Sequence, residues 1–431
     1  MFKISSSNMI TATGGKIEQF FAGLTFAIPL LMGICLFFNP FPHTTAIKEF
    51  CFYLSVLVLI VLLIFKKTDF SLRSPLTLSF VLFFLWGIFG LFFTLDFNNS
   101  LHDLRAHLLN YYIIFYLLIN YFNSRKKLEI LSWIVISSAT FFSIGAIIYF
   151  YFILGNPFSV RLGVTFLEIH TDYIGFVTIF AISLALNKLY KSKTMAYKLL
   201  VLTCFFITLI ATLLSQSRGA LMGLFAALVI LCFSNKKNIV FVIIMISLMF
   251  FTPVKERLDH KEFFRDARTK INRLGIMIIK EYPIAGIGFG MQIYGNKKLL
   301  DLEKFNSKLP PEYRQQGVIV DSPHNTIIDV TVRTGIIGLV LFLNIILTAI
   351  WMLWKILKLA KSEYFRSWII CLFACFMSFL IPAMFADTTF GQRAVVFYTI
   401  LAMITILWNI NEQSKSDNNV AELKEHPFKV K

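Results

Sequence analysis

Long apolar stretches separated by short polar ones set the pattern of this chain. They fall near 19–38, 48–65, 76–95, 107–122, 128–153, 170–187, 197–214, 219–234, 238–253, 324–354, 367–385 and 394–410. Most approach the roughly 20 residues that a helix needs to cross a hydrocarbon core. The pattern predicts an all-α polytopic membrane protein with about 12 transmembrane helices. The tenth run exceeds one crossing, so it must protrude or bend. The chain divides into residues 1–253 with nine helices, a large loop over 254–322, three helices within 323–410, and a tail over 411–431.

The polar breaks differ in charge, and the difference gives a topology. One set is rich in cations: "KKTDFSLR" (66–73), "SRKK" (124–127), "KLYKSKTMAYK" (188–198), "NKK" (235–237), "KILKLAKSEYFR" (355–366) and the tail. The opposite short loops carry only Lys48, Arg105, Arg161, Arg218 and Arg393. The positive-inside rule makes the first set cytoplasmic, which puts both termini inside and the large loop outside. Loops that long are exempt from the rule, so the cations within 254–322 do not disturb the assignment.

The choice of cation is also informative. Lysine suffices as a topology charge, and the cytoplasmic loops use mostly lysine. The outer loops use mostly arginine, whose planar fork grips phosphate or carboxylate through paired hydrogen bonds. As a set, these arginines point to an anionic ligand at the outer helix ends. The bland alternative is arginines that snorkel to lipid headgroups.

Composition narrows the class further. Hydrophobic residues make up 57% of the 431-residue chain and charged ones only 15%, too apolar for a soluble protein of this length. The net charge of +17 would suit a nucleic-acid binder, but its placement in alternating loops marks topology and speaks against nucleic acid. The six cysteines lie in apolar runs without metal spacing and read as packing residues.

Within the large loop, "RDARTKINRLGIMIIKEYPIAGIGFG" predicts an amphipathic helix ended by Pro283. Leu274, Met277 and Ile278 share its apolar face, suited to lying on the outer leaflet, and Arg265, Arg268 and Arg273 form a basic side. The pattern does not choose among the three arginines. Gly286, Gly288 and Gly290 lack the Lys and Ser/Thr of a phosphate loop and read as a flexible turn back to the membrane. The polar stretch 296–318 reads as mobile.

Four outer features carry candidate chemistry. Arg218, in "SQSRGALMG", sits at a tight turn between apolar runs, where an unpaired charge is costly. The "RDAR" segment supplies Arg265 and Arg268. His324 lies in "DSPHNTIIDV", where Ser322 suits an N-cap and Pro323 the first helical position. That placement puts His324 in the first turn of a helix, whose free N–H groups attract phosphate. A neutral imidazole there can accept a proton as a general base. Asp387, in "FADTTFGQR", can orient His324 or pair with Arg393. Each also has a purely structural reading: a headgroup contact, a solvated face, a helix anchor, a turn pair. No metal cluster is evident, so a diphosphate cleaved here would need arginines to stabilise it.

Taken together, the motifs resemble those of the Wzy-C family of O-antigen ligases and polymerases. The carriers are Arg268 followed by Pro283, Gly286, Gly288 and Gly290, then "HNTIIDVTVRTGIIGLVLF" (324–342), with "SRGALMG" upstream and "VRLGVTFLEIHTDY" (160–173) supplying Arg161. One departure is Asn272, where family members often carry Trp; it reads as packing variation. The resemblance implies a GT-C-like glycosyltransferase of the bacterial inner membrane, without cofactor or metal. The implied donor is an O-antigen on undecaprenyl diphosphate, and the implied acceptor is lipid A–core oligosaccharide at the periplasmic face. His324 would be the general base. Arg218 and Arg268, helped by Arg105, Arg161 and Arg265, would hold the diphosphate, with Asp387 and Asn325 in support. The rivals are an O-antigen polymerase using the same donor and a lipid-linked glycan transporter.

Overall fold

A computed structural model describes residues 7–163, 171–189, 194–250, 267–359 and 362–425. Among these residues the chain is helical without strands. The first half contains α1 (Ser7–Phe38), α2 (Thr45–Ile64), α3 (Thr77–Gly90), α4 (Phe97–Asp103), α5 (Asn110–Tyr121), α6 (Arg125–Ile147), α7 (Thr171–Leu189), α8 (Met195–Ser215), α9 (Arg218–Cys232) and α10 (Ile239–Phe250). The second half contains α11 (Ala267–Glu281), α12 (Leu302–Ser307), α13 (Thr326–Leu359), α14 (Glu363–Ala383) and α15 (Gly391–Glu425). Among the described residues, seven helices are long and apolar enough to cross a membrane, and three shorter apolar helices accompany them. Each of the apolar runs read from the sequence falls on a helix, although the run at 107–122 is a π-helical turn over Leu104–Leu109 followed by the short α5.

Residues 391–414 of α15 are the most buried of the long apolar helices. Their side chains Phe397, Tyr398, Leu401 and Ile404 meet α3, α5, α13 and α14 in one continuous core. A helix enclosed on all sides must be apolar all round, which this segment is. Helicity continues past residue 410 to Glu425.

The expected bend in the tenth run is a break in α13 at Gly335, where φ is 70° and ψ −175°. Breaking a helix orphans carbonyls, and each needs a new donor. Here the donors come from far away in sequence. Ile287 N–H binds the Val332 carbonyl at 2.8 Å, Gly288 N–H binds that of Arg333 at 3.1 Å, and Trp86 Nε1 binds that of Thr334 at 2.8 Å. In return Ile336 N–H donates to the Pro283 carbonyl at 2.8 Å.

The glycine run is therefore no flexible turn. Residues 286–290 are buried and docked as a strut against the break. Gly335 and Gly286 face this contact: a Cβ on Gly335 would lie 1.8 Å from the Ile284 oxygen, and one on Gly286 2.5 Å from the Val332 oxygen. On its other side the strut is held by α4. Gly290 N–H binds Ser100 Oγ at 3.1 Å, Met291 N–H binds Asp103 Oδ2 at 2.6 Å, and Gln292 N–H binds Asn99 Oδ1 at 3.1 Å.

Two other expectations for the large loop change. The apolar face of α11 packs on protein: Leu274 and Ile278 are fully buried in a second core with Ile287, Ile293, Tyr294 and Val332. The polar stretch 296–318 is tied to that same core through Leu300, Leu302, Phe305 and Leu309. Its sparse apolar residues suffice because these four point one way.

Candidate functional site

Three turns meet at the end of the bundle that carries the large loop. The α8–α9 turn is the first. Gln216 takes the left-handed conformation at φ 48°, and Ser217 caps α9 by accepting from Ala220 N–H. This makes Arg218 the first residue of α9, at the positive end of the helix dipole. The turn is braced by Arg161, whose Nε donates to the Ser215 carbonyl at 3.2 Å, and by Gln216 Nε2 on the Ser159 carbonyl at 3.1 Å.

The second turn precedes α13, and here the cap differs from expectation. Ser322 does not cap the helix; its hydroxyl donates to Asp387 Oδ2. Asn325 is the cap, with Oδ1 accepting from Ile327 N–H at 3.0 Å and Ile328 N–H at 3.3 Å. His324 accordingly stands outside the helix, in the left-handed conformation at φ 47°. Such a backbone costs a residue other than glycine about 1–3 kcal/mol, and strain of this kind clusters at functional sites. It turns the imidazole outward, with 45% of the side chain exposed, while Asn325 is buried.

The third turn joins α14 to α15. Asp387 lies there with Oδ2 3.5 Å from His324 Nδ1. Its backbone carbonyl accepts from Arg393 Nη1 at 2.9 Å, so Arg393 holds the turn and not the carboxylate. Burial pushes the Asp387 carboxyl above the usual range, and repulsion from Asp329 adds to this; the Ser322 hydrogen bond, His324 and Arg333 pull it back.

Between these turns lies a cavity of about 100 Å³ lined by Arg218, Met222, Arg268, Thr269, Asn272, His324, Met384 and Phe385. It brings together three residues spread over more than a hundred positions of the chain, each at least 50 from the next: Arg218, Arg268 and His324. Phe385 forms one wall, and the Arg268 guanidinium stacks 5.5 Å from its ring centre. Two of the three basic residues are now told apart. Arg268 lines the cavity, Arg273 stacks on Tyr313 at 4.8 Å, and Arg265 lies outside the described residues. Arg105 is exposed on the π-helical turn and is not among the lining residues, and Arg161 acts on the Arg218 turn from behind.

Several participants were not singled out in the sequence. Asn272 is more than packing variation: it lines the cavity, and its buried Oδ1 has no partner among the described residues. Beneath His324, Asp329 and Arg333 form a buried pair at 2.7 Å. Thr389 Oγ1 donates to the same aspartate at 2.7 Å, and Arg333 also reaches the Gly290 carbonyl and stacks 4.8 Å from the Phe390 ring. This pair ties α13, the glycine strut and the Asp387 turn into one polar network. Its signal was available: opposite charges four residues apart inside an apolar run.

Chemically, two guanidinium groups and the N-termini of α9 and α13 at this end of the bundle are groups that can hold a polyanion. The histidine beside them has a carboxylate 3.5 Å from its Nδ1, an arrangement that can serve proton transfer. A family model described as O-antigen ligase matches residues 203–343, about a third of the chain. The match includes Arg218, Arg268, the glycine strut and His324, and bears out the family resemblance. No curated protein matches the chain.

Proposed function

With residues 203–343 belonging to the O-antigen ligase family, we propose that this multi-pass membrane protein is a glycosyltransferase that ligates O-antigen to lipid A–core. The donor is the glycan on undecaprenyl diphosphate, and the reaction takes place at the periplasmic face of the inner membrane, with both termini cytoplasmic. The observation that carries this reading is the single cavity shared by Arg218, Arg268 and His324.

In the proposed mechanism the diphosphate docks on Arg218 at the start of α9 and on Arg268 at the start of α11. The acceptor sugar hydroxyl approaches His324 from the exposed side. Nε2 of His324 takes the hydroxyl proton while the oxygen attacks the anomeric carbon. The bond from that carbon to the phosphate oxygen breaks, and the charge it leaves is met by the two guanidinium groups. Nδ1–H faces Asp387, whose carboxylate stabilises the imidazolium as it forms; the present 3.5 Å separation shortens as charge develops. Direct attack inverts the anomeric centre. Asn325 serves by setting where the helix starts, and thus where His324 stands. Arg161 serves by fixing the Arg218 turn. Arg105 and Arg265 are secondary contacts for the lipid-linked donor.

The test is genetic and chemical. An O-antigen-producing host lacking this gene is complemented with the native gene or with His324→Ala. The native gene restores long O-antigen on lipopolysaccharide, while the variant leaves lipid A–core bare and lipid-linked O-antigen accumulates. Caps of a single repeat unit would instead identify a polymerase. Full-length lipopolysaccharide from His324→Ala would remove the histidine from its role.

A further inference from the structure

Helices α9 and α14 run from the His324 cavity to a second cavity at their opposite ends. Arg218 begins α9 and Met384 follows α14 at the first cavity; Leu231 and Glu363 mark the other ends of the same helices at the second. At 1.5 Å per residue, α14 separates the two by roughly 30 Å, about the thickness of a hydrocarbon core. The second cavity has a volume of about 350 Å³, within the range of small-ligand sites. Its lining is polar: Asn187, Ser234, Asn238, Glu363, Tyr364 and Ser367 take part.

Two carboxamides in it are half-used, and Asn238 is oriented by a carbonyl, which can only accept. Asn238 Nδ2 donates to the Leu231 carbonyl at 2.7 Å, so Oδ1 is the acceptor left over. Asn187 Oδ1 accepts from Ser367 Oγ at 3.1 Å, so Nδ2 is the donor left over. Both leftover atoms are buried and have no partner among the described residues. The two side chains are more than nine-tenths buried, at 8% and 2% exposure for Asn187 and Asn238. Burying such groups unpaired is costly, so the cavity is built to be filled by something that both donates and accepts.

The rim defines the ligand further. Glu363 contributes an exposed carboxylate to the lining, and the exposed Lys236 and Lys237 immediately precede Asn238 in the chain. Beside the cavity the chain presents Phe233, Ile239 and Val240 outward, an apolar flank continuous with the lipid-facing surface. We propose that this cavity binds the headgroup of a phospholipid carrying a primary ammonium, namely phosphatidylethanolamine, in the leaflet opposite the His324 site. The ammonium donates to Asn238 Oδ1 and faces Glu363. A phosphate or ester oxygen accepts from Asn187 Nδ2. The acyl chains lie along Phe233 and Ile239. A quaternary choline headgroup has no N–H to give Asn238 and is the natural discriminating probe. The inference stands on this cavity alone and does not depend on the glycan-transfer reading.

The experiment uses the full-length protein purified in detergent. Native mass spectrometry reads its retention of phosphatidylethanolamine, phosphatidylcholine and phosphatidylglycerol titrated at equal concentration. Phosphatidylethanolamine is expected to be held about tenfold more tightly than phosphatidylcholine, the equivalent of one or two hydrogen bonds. That preference is expected to collapse in Asn187→Leu and in Glu363→Gln, the second being an exposed substitution that leaves the packing intact. Equal retention of all three lipids, or of none, overturns the proposal. Displacement of the lipid by soluble phosphoethanolamine at the same concentration also overturns it, by assigning the cavity to a water-soluble ligand.

Discussion

Replacing Gly286 with alanine tests whether the glycine strut holds the site together. The perturbation has two parts. The residue sits at φ 72°, a conformation that costs an L-residue about 1–2 kcal/mol. The new Cβ would also lie 2.5 Å from both the Val332 oxygen and the Arg333 carbonyl carbon, so the strut must back away. Retreat breaks the Ile287–Val332 and Gly288–Arg333 hydrogen bonds and leaves two buried carbonyls unmet, at about 1–3 kcal/mol each. The total is on the order of 3–8 kcal/mol, and even 3 kcal/mol raises the undocked population by roughly a hundredfold. Gly317 is the matched control: its φ is 78°, but nothing lies within 4 Å of its Cβ direction, so alanine there carries the strain without the clash. Hydrogen exchange read by mass spectrometry on the peptide spanning 283–292 is the assay. Gly286→Ala should expose the Ile287 and Gly288 amides and abolish glycan transfer. Gly317→Ala should leave that peptide protected. If the two variants give the same exchange, docking against the broken helix is not what holds this loop.

Further outcomes follow from the same network. Arg268→Lys should lower transfer about 10²–10³-fold through loss of the planar fork. Arg273→Lys, a change on Tyr313, should stay within about twofold; radiolabelled glycan transfer in membranes separates them. Asp387 titrates above the usual carboxylate range, so between those two values the native state keeps a proton that the unfolded chain releases. Its contribution to stability is thus full on the acid side and is lost as pH rises through the raised value, while activity runs the other way because only the carboxylate supports imidazolium. Asp387→Asn should flatten both dependences in pH-resolved thermal melts and transfer assays. Arg333→Met leaves Asp329 buried without its cation and should cost about 3–5 kcal/mol, seen as a fall in melting temperature that Asp329→Asn partly restores in the double variant.

Much of this arrangement was legible in the sequence because it is local. Apolar length located the helices, and Pro283 ended α11 by removing a donor. The excess length of the tenth run required a bend. Arg218 and His324 stood out by residue type and position and Arg268 only through the family resemblance, and one cavity holds all three. What was not legible depends on contacts between distant segments. Ser322 looked like the cap of α13 until Asp387, 65 residues away, took its hydroxyl and left capping to Asn325. The glycines looked flexible because their partners, the carbonyls at the Gly335 break, cannot be read from their own neighbourhood. Helical periodicity put three arginines on one side of α11 without saying which one meets the turn after α14; the Phe385 ring settles it for Arg268.

The break in α13 also bears on the order in which the chain is assembled. Alone in a bilayer, residues 326–359 would have no donors for the Val332, Arg333 and Thr334 carbonyls, and an unbroken helix would be the cheaper form. The bend thus waits on residues 283–290 and on Trp86 of α3, which must already be in place. Until they arrive the first turns of the broken helix cannot take their final course, so this end of the molecule is completed only after the bundle that carries it.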